Sequence, residues 1–210
     1  MSSFKNKDGK IIVENLIETI KENKDYLSKI DGEIGDGDHG INMNKGFVIC
    51  EERIAGKDID LGESLKQLAM VLMMEIGGSM GPLYGTIFFE MSKAAEGQEH
   101  IDENTFLSML KKSIVEVQSL GNAKVGDKTL MDTLVPATEA FEISMSKGFA
   151  EALEDLKVAA EKGKDSTIDL VAKLGRASRL GERSRGVLDA GATSCCLLLQ
   201  SMATTIQSLL

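Results

Sequence analysis

The sequence predicts an all-α fold, a bundle of antiparallel amphipathic helices, and three observations carry that prediction. Apolar residues recur at i, i+3 and i+4 spacing through most of the chain. No stretch alternates apolar and polar residues as a half-buried strand would. The breaks between periodic stretches are short and rich in glycine and acidic residues, so consecutive helices are expected to run antiparallel. The 210 residues, 42% hydrophobic content and mean hydropathy of −0.06 fit one globular domain over residues 1–210 with a sizeable core.

The first helix is expected over 11–30, with Ile12, Val13, Leu16, Ile17, Ile20 and Leu27 on one face. A second runs from about Ile41 to Ala55. A third covers 61–76, with Leu65, Leu68, Ala69, Leu72 and Met73 on its buried face; its methionines suit adaptable core packing. Gly77 ends it and Pro82 opens the fourth, over 83–96. Asp102 is placed to cap a fifth helix carrying Phe106, Leu107, Leu110, Ile114 and Val117. The sixth spans about 129–145 and contains Pro136, which should kink or split it. The seventh takes 149–162, and Asp165 or Ser166 should cap an eighth that ends near Gly175. A last apolar stretch to Leu210, interrupted by Gln200, Thr204, Thr205 and Gln207, reads as a core helix rather than a membrane span. The count is eight or nine helices.

The polar chemistry is concentrated in 31–44, Asp31-Gly-Glu-Ile-Gly-Asp36-Gly-Asp38-His39-Gly40-Ile41-Asn42-Met-Asn44. Two carboxylates about 4 Å apart repel by roughly 4 kcal/mol at an effective dielectric of 20. A loop gathering three of them either spreads them into water or holds hard cations such as Mg²⁺ or Ca²⁺ between them. Gly35 to Gly40 satisfies G-x-G-x-x-G, but a helix rather than a strand precedes it, and two aspartates would repel a bare pyrophosphate. The ligand spacing of a calcium-binding EF-hand loop is also absent, since Gly40 and Phe47 fall at its fifth and twelfth positions. A solvated turn whose aspartates cap helices is the remaining alternative.

Three other loops carry chemistry. Gly77-Gly-Ser79-Met80-Gly-Pro-Leu-Tyr-Gly-Thr86 delivers a helix start, an anion site or a plain interhelical turn. Gly121 to Thr129 resembles a phosphate-binding loop, but Asp127 intrudes before Lys128-Thr129 and a helix precedes it. Residues 175–186 hold four arginines in an otherwise acidic chain, a phosphate-matching cluster or a solvated basic loop. In an up-and-down array alternate loops share one end, so acids, helix starts and arginines could together form a metal–polyphosphate site. A nucleoside diphosphate and three aspartates carry about six negative charges, which two divalent ions and one or two arginines roughly balance.

The net charge of −9 argues against non-specific binding to nucleic acid or anionic membranes. The N-terminus lacks the apolar run of a signal peptide. Cys50, Cys195 and Cys196 have no zinc spacing and read as buried thiols of a cytoplasmic protein.

These motifs together resemble the ADP-binding L subunits of phosphotransferase-system-dependent dihydroxyacetone kinases. The resemblance is carried by Ile34 to Gly46, Gly81 to Thr86, Gly126 to Thr129, Leu180 to Ser184 and Gly191 to Ser194, in order along nearly the whole chain. It implies a closed barrel of eight antiparallel helices with the nucleotide at one end. It further implies that Asp31, Asp36 and Asp38 hold two Mg²⁺ ions, and that His39, Gly40, Ile41, Asn42, Ser79, Met80, Gly121, Leu130, Arg176, Asp189, Ala190 and Gly191 contact a tightly bound ADP/ATP. Met80 stands where the family often has a serine, Ala190 where it often has a proline, and Leu130 replaces a frequent methionine.

By the same resemblance, ADP is phosphorylated by a phosphohistidine on an M subunit, and the γ-phosphoryl passes to dihydroxyacetone on a K subunit. No protein nucleophile is then expected here, and His39 is a binding residue. The oligomeric state stays open, a homodimer included. The alternatives are the nucleotide domain of an ATP-dependent kinase, which the chain length argues against, a non-catalytic Mg-nucleotide-binding regulator, and a plain helical scaffold.

Overall fold

A computed structural model describes residues 2–210. Its α-helices are α1 (Lys10–Ile34), α2 (His39–Ile54), α3 (Leu61–Glu75), α4 (Met80–Ala95), α5 (Glu103–Gly121), α6 (Met131–Ser144), α7 (Phe149–Ser166) and α8 (Ala190–Leu209). Each packs against the next in sequence, and α8 packs back against α1. The eight therefore form a closed ring, the all-α barrel that the sequence led us to expect. No described helix is long and apolar enough to cross a membrane.

Burial follows the helical periodicity. Ile12, Val13, Leu16, Ile17, Ile20 and Leu27 of α1 all lie inside, as do Leu65, Leu68, Ala69 and Leu72 of α3. Met73, expected on that face, is 39% exposed instead. Phe106, Phe141 and Phe149 cluster with ring centroids 5.2–6.0 Å apart and join α5, α6 and α7. The seam between α8 and α1 is partly polar. Thr205 Oγ1 accepts from Asn15 Nδ2 at 2.9 Å, and the Thr19 and Ser201 hydroxyls hydrogen-bond at 2.8 Å. Asp60 and Asp102 cap α3 and α5 by accepting the Glu63 and Thr105 N–H groups, each at 2.8 Å.

Several boundaries differ from the expectation. α1 continues through Gly32 to Ile34, which places Asp31 on its last turn rather than in the loop. α4 begins at Met80, so Pro82 is its third residue. α6 is not split by Pro136. The Asp132 carbonyl, which the proline leaves without its usual intrahelical donor, instead faces Gly163 of α7, where a Cβ would lie 2.3 Å away.

The helix expected to end near Gly175 does not form, because α7 absorbs Asp165 and Ser166. Short 3₁₀ turns at Thr167–Asp169 and Arg176–Ser184 take its place. The Thr167 and Leu170 carbonyls that would start such a helix are bound by the Lys128 ammonium. A small antiparallel sheet, β1 (Ser3–Lys5) with β2 (His100–Asp102), was not expected; its Phe4–Ile101 pair is buried. Strands this short carry too little alternation to be seen in sequence.

The connections 55–60, 96–102 and 145–148 belong to one end of the ring. Those at 35–38, 76–79, 122–130 and 167–189 belong to the other, where they surround a cleft.

Candidate functional site

The cleft has a volume of about 390 Å³ and draws residues from all four loops of its end, a size suited to a small cofactor. In the first loop, Gly37 takes φ +77° and lets the chain turn back from α1 into α2. Gly40 then meets α1 so closely that a Cβ would lie 2.0 Å from the Lys24 carbonyl oxygen. This contact brings Asp31, Asp36 and Asp38 together, with one carboxylate oxygen of each within 4.8 Å of the others. The His39 N–H donates to Asp31 Oδ2 at 3.3 Å and orients that carboxylate.

The His39 ring is held from the other side. Its Nε2 lies 2.9 Å from Ser194 Oγ, which is 2.6 Å from the Tyr84 hydroxyl, and Tyr84 donates to the Gly191 carbonyl at 3.0 Å. Burial pulls the His39 pKa down to about 4 despite the opposing pull of Asp31, so the ring is neutral at pH 7.

In the second loop, Gly78 at φ +77° turns the chain into α4. A Cβ at Gly81 would lie 2.4 Å from the Ile76 carbonyl oxygen, so the start of α4 is pressed against the end of α3. Ser79, Met80, Leu83 and Tyr84 thereby line the cleft.

The third loop is organised by the buried Asp132, whose carboxylate accepts from the Gly126 and Thr129 N–H groups at 2.6 and 2.7 Å. Lys128 sits at φ +63° with its ammonium on three backbone carbonyls. Those bonds occupy all three of its protons, so this is not a phosphate-binding lysine loop.

The fourth loop supplies Arg176, whose guanidinium pairs with Asp36, and Asp189, which caps α8 by accepting from Ala192 N at 2.7 Å. Burial raises the Asp189 carboxyl to about 6, partly offset by that hydrogen bond.

Asp31, Asp36, Asp38, His39, Asn42, Ser79, Met80, Gly121, Leu130, Arg176, Asp189, Ala190 and Gly191 all line the cleft. Gly40 and Ile41 do not. Gly40 faces α1, and Ile41 is 53% exposed on the outside of α2. Tyr84 and Ser194 lie inside two of the motifs quoted above, Gly81 to Thr86 and Gly191 to Ser194, but neither was given a role of its own. The two stand 110 positions apart, and a lone tyrosine or serine in a helix gives no signal of its partner.

The donor set suits a hard cation, because three carboxylates offer oxygen ligands within 4.8 Å of one another. The chemistry available is therefore binding and charge neutralisation at the mouth of a cleft, with a helix start and an arginine beside the acids.

Comparison with known proteins shows the family. The sequence profile of the DAK2 domain matches residues 33–204. The chain is 40% identical over 182 residues to the ADP-binding subunit DhaL of the PEP-dependent dihydroxyacetone kinase of Escherichia coli, covering 85% of this chain and 87% of that protein. It is 37% identical over 190 residues to the ADP-binding subunit DhaL of the PTS-dependent dihydroxyacetone kinase of Lactococcus lactis, covering 90% and 92%. The dihydroxyacetone kinase from C. freundii, solved in complex with AMP-PNP and Mg²⁺, shares the fold. The TM-score is 0.70 at 20% identity, over 98% of this chain and 35% of that one. Fold, profile and full-length relatives agree that the chain belongs to the DAK2 domain family, which includes the ADP-binding subunits of dihydroxyacetone kinases.

Proposed function

We propose that this chain is the nucleotide-carrying subunit of a cytoplasmic dihydroxyacetone kinase. In this reading it binds Mg-ADP tightly, receives a phosphoryl group from a phosphohistidine on one partner subunit, and delivers it to dihydroxyacetone held on another. The observation that carries the reading is the aspartate trio, with its oxygens within 4.8 Å, at a cleft that also holds a helix start and Arg176. The 40% identity to a separate ADP-binding subunit supports the division of labour among subunits.

Asp31, Asp36 and Asp38 would hold two Mg²⁺ ions, and the start of α4, Arg176 and the Asp189–Gly191 turn would hold the nucleotide. When bound, Mg-nucleotide supplies the phosphoryl acceptor and donor. The protein's own residues position it and neutralise its charge, which is most of what phosphoryl transfer asks of an enzyme. His39 serves as a neutral ring fixed by Ser194 rather than as a nucleophile, because burial and that hydrogen bond hold it in place.

Calorimetric titration with Mg-ADP and Mg-ATP tests the site. The wild-type chain should bind Mg-ADP, and D36A should lose Mg-dependent binding while keeping its helical circular dichroism. Unchanged binding in D36A would remove the metal assignment. Conversion of the bound ADP to ATP by a phosphohistidine donor protein separates a transfer subunit from a regulatory nucleotide sensor, which would leave ADP unchanged.

A further inference from the structure

Lys128 is 1% exposed, and its backbone lies in the left-handed region at φ +63°. A lysine pays for both features, since burying an ammonium and holding a branched-off L residue at positive φ are each unfavourable. Its Nζ donates to the carbonyls of Thr167, Leu170 and Val187 at 2.6, 3.2 and 2.6 Å. These carbonyls mark the two feet of one excursion, which leaves the barrel after Thr167 and returns at Val187.

Further bonds tie the same feet. Gly186 N donates to the Ile168 carbonyl at 2.7 Å, and Asp189 N donates to Thr167 Oγ1 at 3.0 Å. Higher up, Ser184 Oγ accepts from Ala172 N at 2.9 Å and joins the two limbs. Arg176 is carried by this excursion, and Asp189 follows its second foot.

We propose that Lys128 is a positioning residue for the nucleotide cleft. Its ammonium clamps the feet of the 170–187 excursion and so sets where Arg176 stands. The proposal rests on the reading of the cleft as a Mg-nucleotide site. Lys128 touches no phosphate in this scheme; it acts through the loop it holds.

Three variants test it, K128M, R176A and the double K128M/R176A, with Mg-ADP dissociation constants from calorimetry and amide hydrogen exchange alongside. K128M should weaken Mg-ADP by about tenfold, the size of one lost charged contact. Exchange should quicken across 167–189 while α1 to α5 keep their protection. The double variant should bind within about threefold of the weaker single, because both changes remove the same placed arginine.

Wild-type affinity in K128M, or single losses that multiply in the double variant, would overturn the proposal. If K128M does not fold, S184A loosens the same excursion from outside the cleft. It should weaken Mg-ADP non-additively with R176A, and wild-type affinity in S184A would then overturn the proposal. A wild-type chain that binds no Mg-ADP would defeat the cleft reading itself, and this inference with it.

Discussion

Asp189 has two roles with opposite demands. As the cap of α8 it must accept the Ala192 N–H, and as a half-buried carboxylate beside Asp132 and Asp31 it is discouraged from ionising. Its pKa of about 6 means that the folded protein holds the proton more tightly than the unfolded chain does. The group therefore favours folding at acid pH, and its penalty grows as pH rises from about 4 and is complete above 6. D189N keeps a capping oxygen and removes the charge. It should stabilise the ligand-free protein at pH 8 by about 2 kcal/mol, or roughly 4–8 °C in Tm, with a clearly smaller gain at pH 4.5. Thermal melts at the two pH values check this, and an equal gain at both would show that the charge is not the cause.

At this scale the crowding of carboxylates in 31–38 was visible in the sequence itself, and the structure brings one oxygen each of Asp31, Asp36 and Asp38 within 4.8 Å. The role of Lys128 was not legible. Its partners are backbone carbonyls, which every residue has and which leave no trace in side-chain identity.

Helices α1 and α2 meet where Gly40 leaves room. In G40A the added methyl would sit 2.0 Å from the Lys24 carbonyl oxygen and 2.8 Å from Ser28 N, both backbone atoms that cannot swing aside. The start of α2 must then retreat from α1 and take Asp38 and His39 with it. G40A should cost about 2 kcal/mol of stability and weaken Mg-ADP at least about tenfold. Gly32, on α1 itself, has only the Gly37 Cα near its missing Cβ, at 3.8 Å. G32A should therefore be neutral or slightly stabilising, by up to about 1 kcal/mol, because alanine is the better helix former. Denaturant unfolding of the two variants makes the comparison.

The periodic stretches announced all eight helices, and one more between α7 and α8 that does not form, because burial on one face imposes the 3.6-residue repeat that sequence analysis detects. The region between α7 and α8 misled for the opposite reason. Its Leu170, Val171, Ala172 and Leu174 suit a helix, yet Lys128 and Ser184 bind the backbone groups that a helix would use.

For the whole molecule, the arrangement at one end of the ring ties ligand binding to overall stability. The four loops of the cleft join α1 to α2, α3 to α4, α5 to α6 and α7 to α8, so a ligand there contacts every helical pair at once. Mg-ADP at a hundredfold excess over its Kd should add about 2.7 kcal/mol. That corresponds to a rise in Tm of roughly 5–11 °C, which EDTA should abolish. A melt that moves with ADP alone, in the absence of divalent metal, would count against the aspartate trio.

The ring also closes without help from the peptide chain. α8 meets α1 through the same kinds of buried apolar faces and hydroxyl contacts that join helices linked by a loop. The order in which the eight helices are connected is thus separable from the shape they make. A barrel cut at one of its far-end turns and rejoined across the α8–α1 seam would present the same four loops to the same nucleotide. The architecture is circular, and the linear order of the sequence is one of several ways to traverse it.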